Sequence, residues 1–340
     1  MPETRDLPLR IGVIGVARIA RDFVLGAGRS RTVLVTAVAS RDPDKATRFA
    51  REMGIPRACG SYAELLADPD IDAVYNPLPN TLHAEWSMAA ARAGKHVLCE
   101  KPLATSAGEA RAMFDTARNH GVVLVEGFPY RAQPHALKLK ELIASDTIGQ
   151  VQTMQAAFGF TMSDAANIRL DPGLAGGALL DAGTYPVSLV RMVAGQRASR
   201  AHAVAHWHAS GVDRTLVATL EHPGGLLAQI SCSFTTGVHR HALIAGNAGV
   251  IQTTYLNSPP LDRPALLQLK RGVSWQSDYE SVEVPACNGF QAEAESFERL
   301  VRLGWEQWTG ATPAESVDIA MALDAIIESA RSRRPVDIAA

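Results

Sequence analysis

The sequence predicts an α/β protein with two domains: a doubly wound parallel sheet at residues 1–127, then an α+β domain with a large, mostly antiparallel, open sheet at residues 128–340. Strand and helix patterns alternate through the first stretch, as is typical of a doubly wound sheet. After Gly149 the pattern changes to short strands separated by turn residues, which favours an antiparallel sheet. A chain of 340 residues is also longer than most single hydrophobic cores support.

The composition predicts an ordinary soluble protein, with a net charge of −2 and 47% hydrophobic residues. Its Lys and Arg residues are scattered, which argues against a nucleic-acid partner. No apolar run approaches the roughly 20 residues that a bilayer requires, so no membrane span is expected. The stretch from Met1 to Arg10 is short and charged and has no apolar core. A signal peptide is therefore not expected, and we predict a cytoplasmic location.

The cysteine and histidine spacings predict no metal site. The four cysteines stand far apart without a C-x-x-C spacing, which argues against a zinc knuckle, a disulfide framework and a redox dithiol. Two histidine pairs, His206 with His208 and His239 with His241, have the period of one strand face. They lack the three or four convergent ligands that a metal site needs, so a polar strand face is the favoured interpretation.

The first strand leads into a glycine turn. Residues 10–20 read RIGVIGVARIA, a β-branched strand followed by small residues that open a helix. The turn matches G-x-G-x-x-G/A with alanine in place of the second glycine, and such a turn presents helix N-terminal amides to a pyrophosphate. The residues predicted to bind this part of a dinucleotide are Gly15, Val16, Ala17, Arg18 and Ile19.

The end of the second strand predicts which dinucleotide binds. Residues 33–39 form this strand, and Ser40 and Arg41 follow it where NAD-binding versions of the fold carry an acidic residue. A hydroxyl and a guanidinium suit a 2′-phosphate better than a ribose diol, so we predict NADP rather than NAD. Asp42 is instead predicted to cap the next helix, with Pro43 at its first position.

A loop with two prolines follows the predicted strand at residues 71–75. This loop is rigid enough to hold a ring, although it could equally be a stiff connection. His83 begins the next helix, where its imidazole could reach the same site or serve as a surface cap. The candidate cofactor-binding residues of this segment are Asn76, Pro77, Leu78, Asn80 and His83.

The next apolar strand, at residues 96–99, ends in Glu100-Lys101-Pro102. Charged residues are rarely buried, and ligands of open α/β sheets bind beyond the carboxyl ends of the strands. Glu100 and Lys101 are therefore candidate site residues, with a solvated pair as the alternative. One more buried strand, at residues 122–125, completes the alternation.

The second half is predicted to be mainly β-sheet. A helix at residues 134–148 precedes the sheet, and an amphipathic helix from Thr312 to Arg331 closes the chain. The predicted strands cover residues 151–158, 202–207, 215–220, 226–234, 241–245, 249–254, 265–270 and 281–284. Helices are expected on one face of this sheet, and its free face is predicted to form a homodimer or homotetramer interface.

One segment of the second half places polar residues beside glycines. If a helix begins near Leu179, Asp181 and Tyr185 lie on one face of it, next to Gly176 and Gly177. A carboxylate and a phenol in this arrangement form a candidate site. A hydrogen-bonded pair on a surface turn is the alternative.

In this order along the chain, the motifs resemble the glucose-fructose oxidoreductase / inositol dehydrogenase / MocA (Gfo/Idh/MocA) family of pyridine-nucleotide oxidoreductases. The resemblance rests on the glycine turn, the Asn76 loop, Glu100-Lys101-Pro102 and Asp181-x-x-x-Tyr185. With tyrosine at residue 185, the chain is similar to the branch that holds NADP-linked sugar dehydrogenases and dihydrodiol dehydrogenases. The resemblance implies an NADP(H)-dependent enzyme that transfers hydride between the nicotinamide and the carbinol or carbonyl of an aldose or keto-sugar.

The resemblance also implies residue roles. Lys101, Tyr185 and Asp181 are the expected catalytic residues: the first two meet at the substrate carbinol, and Asp181 orients them. Glu100 and Lys101 are expected beside the nicotinamide, Arg131 is expected at the cofactor site, and Arg169 is expected to bind the substrate together with the catalytic residues. A phenol has a pKa of about 10, and a nearby ammonium favours the phenolate, so Tyr185 is expected to exchange the hydroxyl proton.

Three other functions fit the same motifs. A sugar–sugar oxidoreductase would keep its NADP bound between turnovers, and a trans-dihydrodiol dehydrogenase would act on a diol. A non-catalytic NADP-binding regulator is the third, although the presence of both Lys101 and Tyr185 argues against it.

Overall fold

The computed structural model describes residues 7–164 and 166–338, and the chain divides into two compact units. Unit 1 runs to Ala104 and also comprises Gly108–Gln133 and Cys287–Pro313. Unit 2 comprises Thr105–Ala107, Pro134–Ala286 and the chain from Ala314 onward. The expected domain boundary after residue 127 stays a prediction, and the sequence pattern gave no sign that the segment Cys287–Pro313 returns to unit 1.

The first sheet lies in unit 1. Its strands are β1 (Leu9–Ile14), β2 (Val33–Ala39), β3 (Arg57–Cys59), β4 (Ala73–Asn76), β5 (His96–Glu100) and β6 (Leu124–Gly127). Within the described residues these six strands pair in the order β3-β2-β1-β4-β5-β6, and each neighbouring pair is parallel. The predicted doubly wound parallel sheet is confirmed. The strand order reverses between β1 and β4, which is the point where such sheets bind ligands.

The helices form where the sequence supplies caps and an apolar stripe. They are α1 (Arg18–Ala27), α2 (Pro43–Met53), α3 (Tyr62–Ala67), α4 (His83–Arg92), α5 (Ala107–Asn119), α6 (Pro134–Ala144), α7 (Thr184–Ala194), α8 (Gly289–Leu303) and α9 (Pro313–Ser332). The predicted cap of α2 is confirmed, because Asp42 accepts hydrogen bonds from the amides of Asp44 and Lys45 and Gly54 ends the helix at φ +67°.

Helix α8 was not predicted from the sequence. It belongs to unit 1 and packs closely on α1, since a Cβ atom placed on Gly26 would lie 2.5 Å from Phe290 Cβ. Phe290 and Phe297 are buried in one core with Phe23, whose ring stacks on Tyr75 at a centroid distance of 3.8 Å. The apolar face of α8 therefore packs on α1, a helix near the other end of the chain. No local sequence pattern predicts this long-range contact.

The second sheet lies in unit 2. Its strands are β7 (Val151–Thr161), β8 (Arg200–Trp207), β9 (Asp213–Glu221), β10 (Leu227–Ser233), β11 (Thr235–Gly246), β12 (Gly249–Thr254), β13 (Ala265–Arg271), β14 (Glu280–Val284) and β15 (Val336–Asp337). In the described part of the chain the strand order is β14-β13-β12-β11-β7-β10-β9-β8-β15. The β7–β10 pair is parallel and the other pairs are antiparallel, which confirms the predicted, mostly antiparallel sheet.

One face of this sheet is buried and the other is exposed. Along β9, Leu216 and Ala218 are buried, whereas Val217 between them is 46% exposed. Helix α7 packs on β7 and β10 of this sheet. None of the helices in the described residues is long and apolar enough to cross a membrane.

Candidate active site

The turn between β1 and α1 has the backbone of a pyrophosphate-binding loop. Gly15 has φ +104°, and a Cβ atom there would lie 2.8 Å from Leu78 Cδ2, so glycine is required on both counts. Ala17 precedes α1 in an extended conformation and offers no side-chain cap, while Val16 and Ile19 are half-buried and Arg18 is exposed. The first amides of α1 are thus left to an anionic ligand.

The end of β2 places polar groups near this turn. Arg41 is exposed, and Ser40 is 6% exposed with its hydroxyl accepting a hydrogen bond from the Asp42 amide at 3.2 Å. Tyr62, which the sequence did not single out, is buried with its hydroxyl 3.9 Å from the position of a Gly15 Cβ. Burial raises the pKa of Tyr62, and the nearby Arg41 guanidinium opposes that change. Arg41 therefore lies on the same side of unit 1 as the glycine turn.

These residues fit a dinucleotide with a 2′-phosphate. The glycine turn leaves room that a Cβ would fill, and α1 begins without a side-chain cap. The Ser40 hydroxyl and the Arg41 guanidinium follow β2, at the position where an NAD-binding site carries a carboxylate for the ribose diol. The carboxylate of the adjoining Asp42 is engaged in capping α2.

Hydrogen bonds of buried side chains fix the conformation of the loop after β4. Asn76 is fully buried: its Nδ2 donates to His83 O at 3.2 Å and to Ser87 Oγ at 3.0 Å, and its Oδ1 accepts from the Leu78 amide at 3.3 Å. The ring nitrogens of His83 lie 2.7 Å from Leu78 O and 2.8 Å from Pro102 O. His83 is 1% exposed and burial lowers its pKa, so its interpretation as a surface cap is wrong.

Asn76 and His83 therefore shape the loop that carries the remaining candidates. Pro77 and Leu78 are buried and Asn80 is half-buried. Contact of these five side chains with a cofactor stays a prediction.

Glu100 is not solvated at the end of β5. It is 4% exposed, its Oε1 accepts a hydrogen bond from the Tyr75 hydroxyl at 2.6 Å, and its Oε2 accepts from the Lys101 amide at 3.2 Å. The tyrosine is fixed in turn by its stack on Phe23. The alternative of a solvated pair is thus wrong for Glu100, while Lys101 is half-buried.

Further ionisable side chains are buried near the ends of β5 and β6. Glu293 of α8 is 1% exposed, and one of its carboxyl oxygens lies 3.4 Å from the position of a Gly127 Cβ. Burial and, secondarily, the negative charge of Glu100 raise its pKa well above the ordinary value, which favours the neutral acid. Glu126 accepts from the Leu103 amide at 2.9 Å. Arg131 is fully buried in unit 1, and its role at the cofactor site stays a prediction.

In unit 2, the candidate residues Asp181 and Tyr185 lie on a helical segment anchored by a buried acid. A π-helical turn at Leu179–Gly183 runs into α7. Asp213 is 3% exposed and accepts from the Leu179 amide at 2.7 Å. Burial raises the pKa of Asp213 to about 6. Gly177 has φ +117°, and a Cβ there would lie 2.2 Å from Asp213 Oδ1, so this glycine makes room for the anchor.

Each of the two candidate side chains of this segment accepts a hydrogen bond from a side chain of unit 2. Arg169 Nε donates to Asp181 Oδ2 at 2.6 Å, and the Asp181 charge is the main reason that the pKa of Arg169 is raised. Tyr185 is 4% exposed, and its hydroxyl accepts a hydrogen bond from Asn257 Nδ2 at 2.8 Å. A surface turn is therefore the wrong interpretation of the Tyr185 environment.

Arg240 was missed from the sequence although it lies beside Tyr185. Its guanidinium carbon is 3.9 Å from the centroid of the Tyr185 ring, and its Nη2 donates to Asn257 Oδ1 at 3.2 Å. The signal for it was present: Arg240 stands between His239 and His241 on β11, so its side chain points to the opposite face of the strand from theirs. The histidine pairs form no metal cluster, and across residues 7–164 and 166–338 no three His, Cys, Asp or Glu side chains could together hold a metal ion.

Comparison with known proteins covers both units. Residues 9–128 match a model of the oxidoreductase family with an NAD-binding Rossmann fold, and residues 136–252 match a model of the GFO/IDH/MocA C-terminal domain. D-xylose 1-dehydrogenase (NADP(+)) 2 of Haloferax volcanii is 36% identical over 97% of this chain and 100% of its own length. Trans-1,2-dihydrobenzene-1,2-diol dehydrogenase of Mus musculus is 37% identical over 74% of this chain and 77% of its own.

A solved structure is similar over nearly the whole chain. KijD10, a 3-ketoreductase from Actinomadura kijaniata in complex with NADP and TDP-benzene, has a TM-score of 0.86 at 31% identity, over 95% of this chain and 98% of its own. Structures of KijD10 with a tyrosine-to-phenylalanine or a lysine-to-alanine substitution are similar as well.

Proposed function

Because the chain belongs to the Gfo/Idh/MocA family of oxidoreductases, we propose that it is an NADP(H)-dependent enzyme that interconverts a carbinol and a carbonyl of an aldose or keto-sugar. The observation that carries the proposal is the buried phenol of Tyr185, whose oxygen is hydrogen-bonded and whose ring lies against a cation. The name of the D-xylose dehydrogenase relative states a sugar substrate and NADP(+), and the similar 3-ketoreductase structure holds NADP, which supports the substrate class and the cofactor.

The residues of unit 1 are proposed to bind the cofactor. Gly15 and the first amides of α1 hold the diphosphate, and Ser40 with Arg41 holds the 2′-phosphate. The loop from Asn76 to Asn80, fixed by His83, and the buried Glu100 support the nicotinamide end. When bound, NADP supplies the nicotinamide carbon that accepts or donates the hydride.

Residues of unit 2 are proposed to accept and return the hydroxyl proton of the substrate. During oxidation the carbinol C–H bond breaks with its electron pair, the carbon–oxygen double bond forms, and the hydroxyl proton passes to the Tyr185 oxygen. During reduction Tyr185 returns that proton to the new hydroxyl. Lys101 is proposed to hold the same substrate oxygen and to favour the phenolate by its charge. Asp181, paired with Arg169, orients the substrate hydroxyls.

A substrate screen tests this function. The purified protein is assayed with aldoses and trans-dihydrodiols in the presence of NADP⁺ or NAD⁺, and with keto-sugars in the presence of NADPH. We expect turnover of at least one sugar and a preference for NADP⁺ over NAD⁺. Absence of turnover in both directions, with NADP bound, would support the regulator instead and contradict the proposal.

Substitution of the two proposed catalytic residues tests the site. Tyr185→Phe and Lys101→Ala should each lower kcat by about 10²–10⁴-fold, the range that general acid–base catalysis contributes. Tyr279→Phe is a matched control, because Tyr279 lies in the same unit, is 42% exposed and accepts its hydrogen bond from Gln252 of β12. A kcat within a few-fold of the parent in Tyr185→Phe would contradict the assignment.

Two neighbouring functions have their own tests. The similarity to the dihydrodiol dehydrogenase of Mus musculus supports trans-dihydrodiols as a second substrate class, and a higher kcat/KM for a diol than for every sugar would favour it. A sugar–sugar oxidoreductase would retain NADP through extensive dialysis and would reduce one sugar while oxidising another without added cofactor.

We also propose self-association and a cytoplasmic location. The exposed face of the unit 2 sheet carries large apolar side chains, including Val204, Val217 and Leu227, and this face suits a homodimer or homotetramer interface. The four cysteines are free thiols, as expected in a reducing compartment. Cell fractionation beside a cytoplasmic marker enzyme checks the location.

A further inference from the structure

We propose that Arg240 and Asn257 are positioning residues that favour the ionised form of the Tyr185 phenol from within unit 2. This inference rests on the proposed function, in which Tyr185 exchanges the substrate proton. It adds to the role of Lys101, because Arg240 acts on the face of the ring and, through Asn257, on the phenol oxygen.

A cation lies on the face of the Tyr185 ring. The Arg240 guanidinium carbon lies 3.9 Å from the Tyr185 ring centroid, and the ring is 4% exposed. A cation over an aromatic face is attracted by its π electrons, and ionisation of the phenol adds electron density to that ring. The guanidinium is always charged at accessible pH, so its attraction favours the phenolate over the phenol.

The Asn257 amide links the Arg240 and Tyr185 side chains. Asn257 Oδ1 accepts from Arg240 Nη2 at 3.2 Å, and Asn257 Nδ2 donates to the Tyr185 hydroxyl at 2.8 Å. A guanidinium has donors and no acceptor, so a flipped amide would set N–H groups against N–H groups. Arg240 therefore fixes the Asn257 amide with its donor toward the phenol oxygen, and a donor to that oxygen stabilises the charged form.

Aromatic side chains around the Arg240 guanidinium hold it in place and exclude part of the water. The guanidinium also lies 4.8 Å from the Tyr255 ring centroid and 4.9 Å from that of Phe158, the residue opposite Arg240 on β7. The Tyr255 hydroxyl donates to Ala157 O at 2.8 Å, which fixes that ring. Aromatic walls exclude water, and an electrostatic interaction is stronger where water is excluded.

The other charged groups of unit 2 near Tyr185 do not cancel this effect. Asp181, on the same helical segment, would oppose ionisation of the phenol. Its carboxylate is paired with Arg169 at 2.6 Å, and Arg169 itself interacts electrostatically with Tyr185. Among the described residues of this unit, the side chains identified around the phenol thus carry two positive charges and one negative charge.

The test is an ultraviolet titration of the Tyr185 phenol without substrate or cofactor, taken as the difference between each protein and the same protein carrying Tyr185→Phe. We expect Arg240→Met to raise the titration midpoint by about 1 to 3 pH units, the effect of a charge at this distance. Asn257→Ala should raise it by a smaller amount, and Arg240→Lys, which keeps the charge, should move it less than Arg240→Met. Arg271→Met, which removes an exposed arginine of β13, should not move it.

Kinetics provide the second readout. In the oxidation direction, the acidic limb of the kcat/KM profile should move to higher pH in Arg240→Met by the same amount as the titration, with KM for NADP⁺ unchanged. A purely structural Arg240 would lower stability without moving either midpoint, and an unchanged midpoint in Asn257→Ala would overturn the inference even if Arg240→Met does not fold. Because the titration needs no turnover, an inactive protein with shifted midpoints would refute the proposed function alone.

Discussion

Arg41 is the residue on which the choice of cofactor depends. It is exposed at the end of β2, close enough to Tyr62 to influence the pKa of that phenol, and the adjoining acid is used to cap α2. Its planar, permanently charged guanidinium matches a phosphate, whereas a ribose diol carries no negative charge for it to pair with. The preference for NADP should therefore depend on this side chain more than on Ser40, whose hydroxyl already accepts from the Asp42 amide.

Replacing Arg41 tests that dependence. Arg41→Ala should raise KM for NADP⁺ by about tenfold or more, since a charge-assisted contact contributes about 1.5–3 kcal/mol. KM for NAD⁺ should stay within about twofold because NAD lacks the phosphate. Arg48→Ala, an exposed arginine on α2, is the matched control. Equal effects on the two cofactors would contradict the assignment of Arg41 to the 2′-phosphate.

Gly15 is the residue that leaves room for the diphosphate. Gly15→Ala should weaken NADPH binding by at least about tenfold, because the new methyl group meets Leu78 and the positive φ strains the backbone by about 1–3 kcal/mol. Gly54→Ala is a sharp control: that glycine also has a positive φ of +67°, but nothing lies within 4 Å of its Cβ position. Gly54→Ala should lower stability without changing the Kd for NADPH measured by fluorescence. Equal losses of NADPH affinity in Gly15→Ala and Gly54→Ala would show that backbone strain alone is responsible.

At the scale of elements, the helical segment that carries Asp181 and Tyr185 depends on Asp213. This acid is buried against the Leu179 amide, and its pKa is raised from 3.8 to about 6. It binds its proton more tightly in the folded state, so its contribution to stability is complete below pH 3.8 and declines as the pH rises through about 6. The difference corresponds to about 3 kcal/mol.

Asp213→Asn should remove that pH dependence. The free energy of unfolding of the parent, measured by denaturant titration, should fall relative to the variant by about 3 kcal/mol between acidic and neutral pH. The amide of asparagine can still accept from Leu179, so the segment should keep its position. Parallel pH profiles for the two proteins would show that Asp213 is ionised without cost, contrary to this account.

The elements were largely predictable from the sequence, whereas several contacts were not. Most strands and α2 follow from local periodicity and from caps such as Asp42, whereas the short strands β3 and β15 were not predicted. Helix α8 and the neighbours of Tyr185 depend on residues distant in the chain: Asn257 comes from a loop after β12 and Arg240 from the interior of β11. No local pattern specifies which remote side chain packs on a given ring, so these partners required the structure.

At the scale of the whole molecule, the exposed face of the unit 2 sheet should mediate self-association. Val217→Lys places a charge on this face, opposite Val204 of the neighbouring strand, and should shift sedimentation velocity profiles toward the monomer. Leu25→Lys, on an exposed position of α1 in unit 1, is the control and should leave the profile unchanged. A parent that sediments as a monomer at all concentrations would contradict the proposed interface.

At the same scale, the two proposed catalytic residues come from different units, since Lys101 belongs to unit 1 and Tyr185 to unit 2. Two residues that act on the same proton function together. The losses of kcat/KM caused by replacing each of them are then far from additive. A structural defect at either position would instead add to a defect at the other. The two cases differ in the behaviour of the double variant.

The most direct measurement is therefore a double-mutant cycle on kcat/KM with NADP⁺ and the best sugar of the screen, using the parent, Lys101→Ala, Tyr185→Phe and the variant with both substitutions. If the two side chains act on one substrate oxygen, the double variant should lose little more than the more damaged single variant, each single loss being about 10²-fold or greater. Losses that multiply across the cycle, or a Tyr185→Phe variant as active as the parent, would contradict the account.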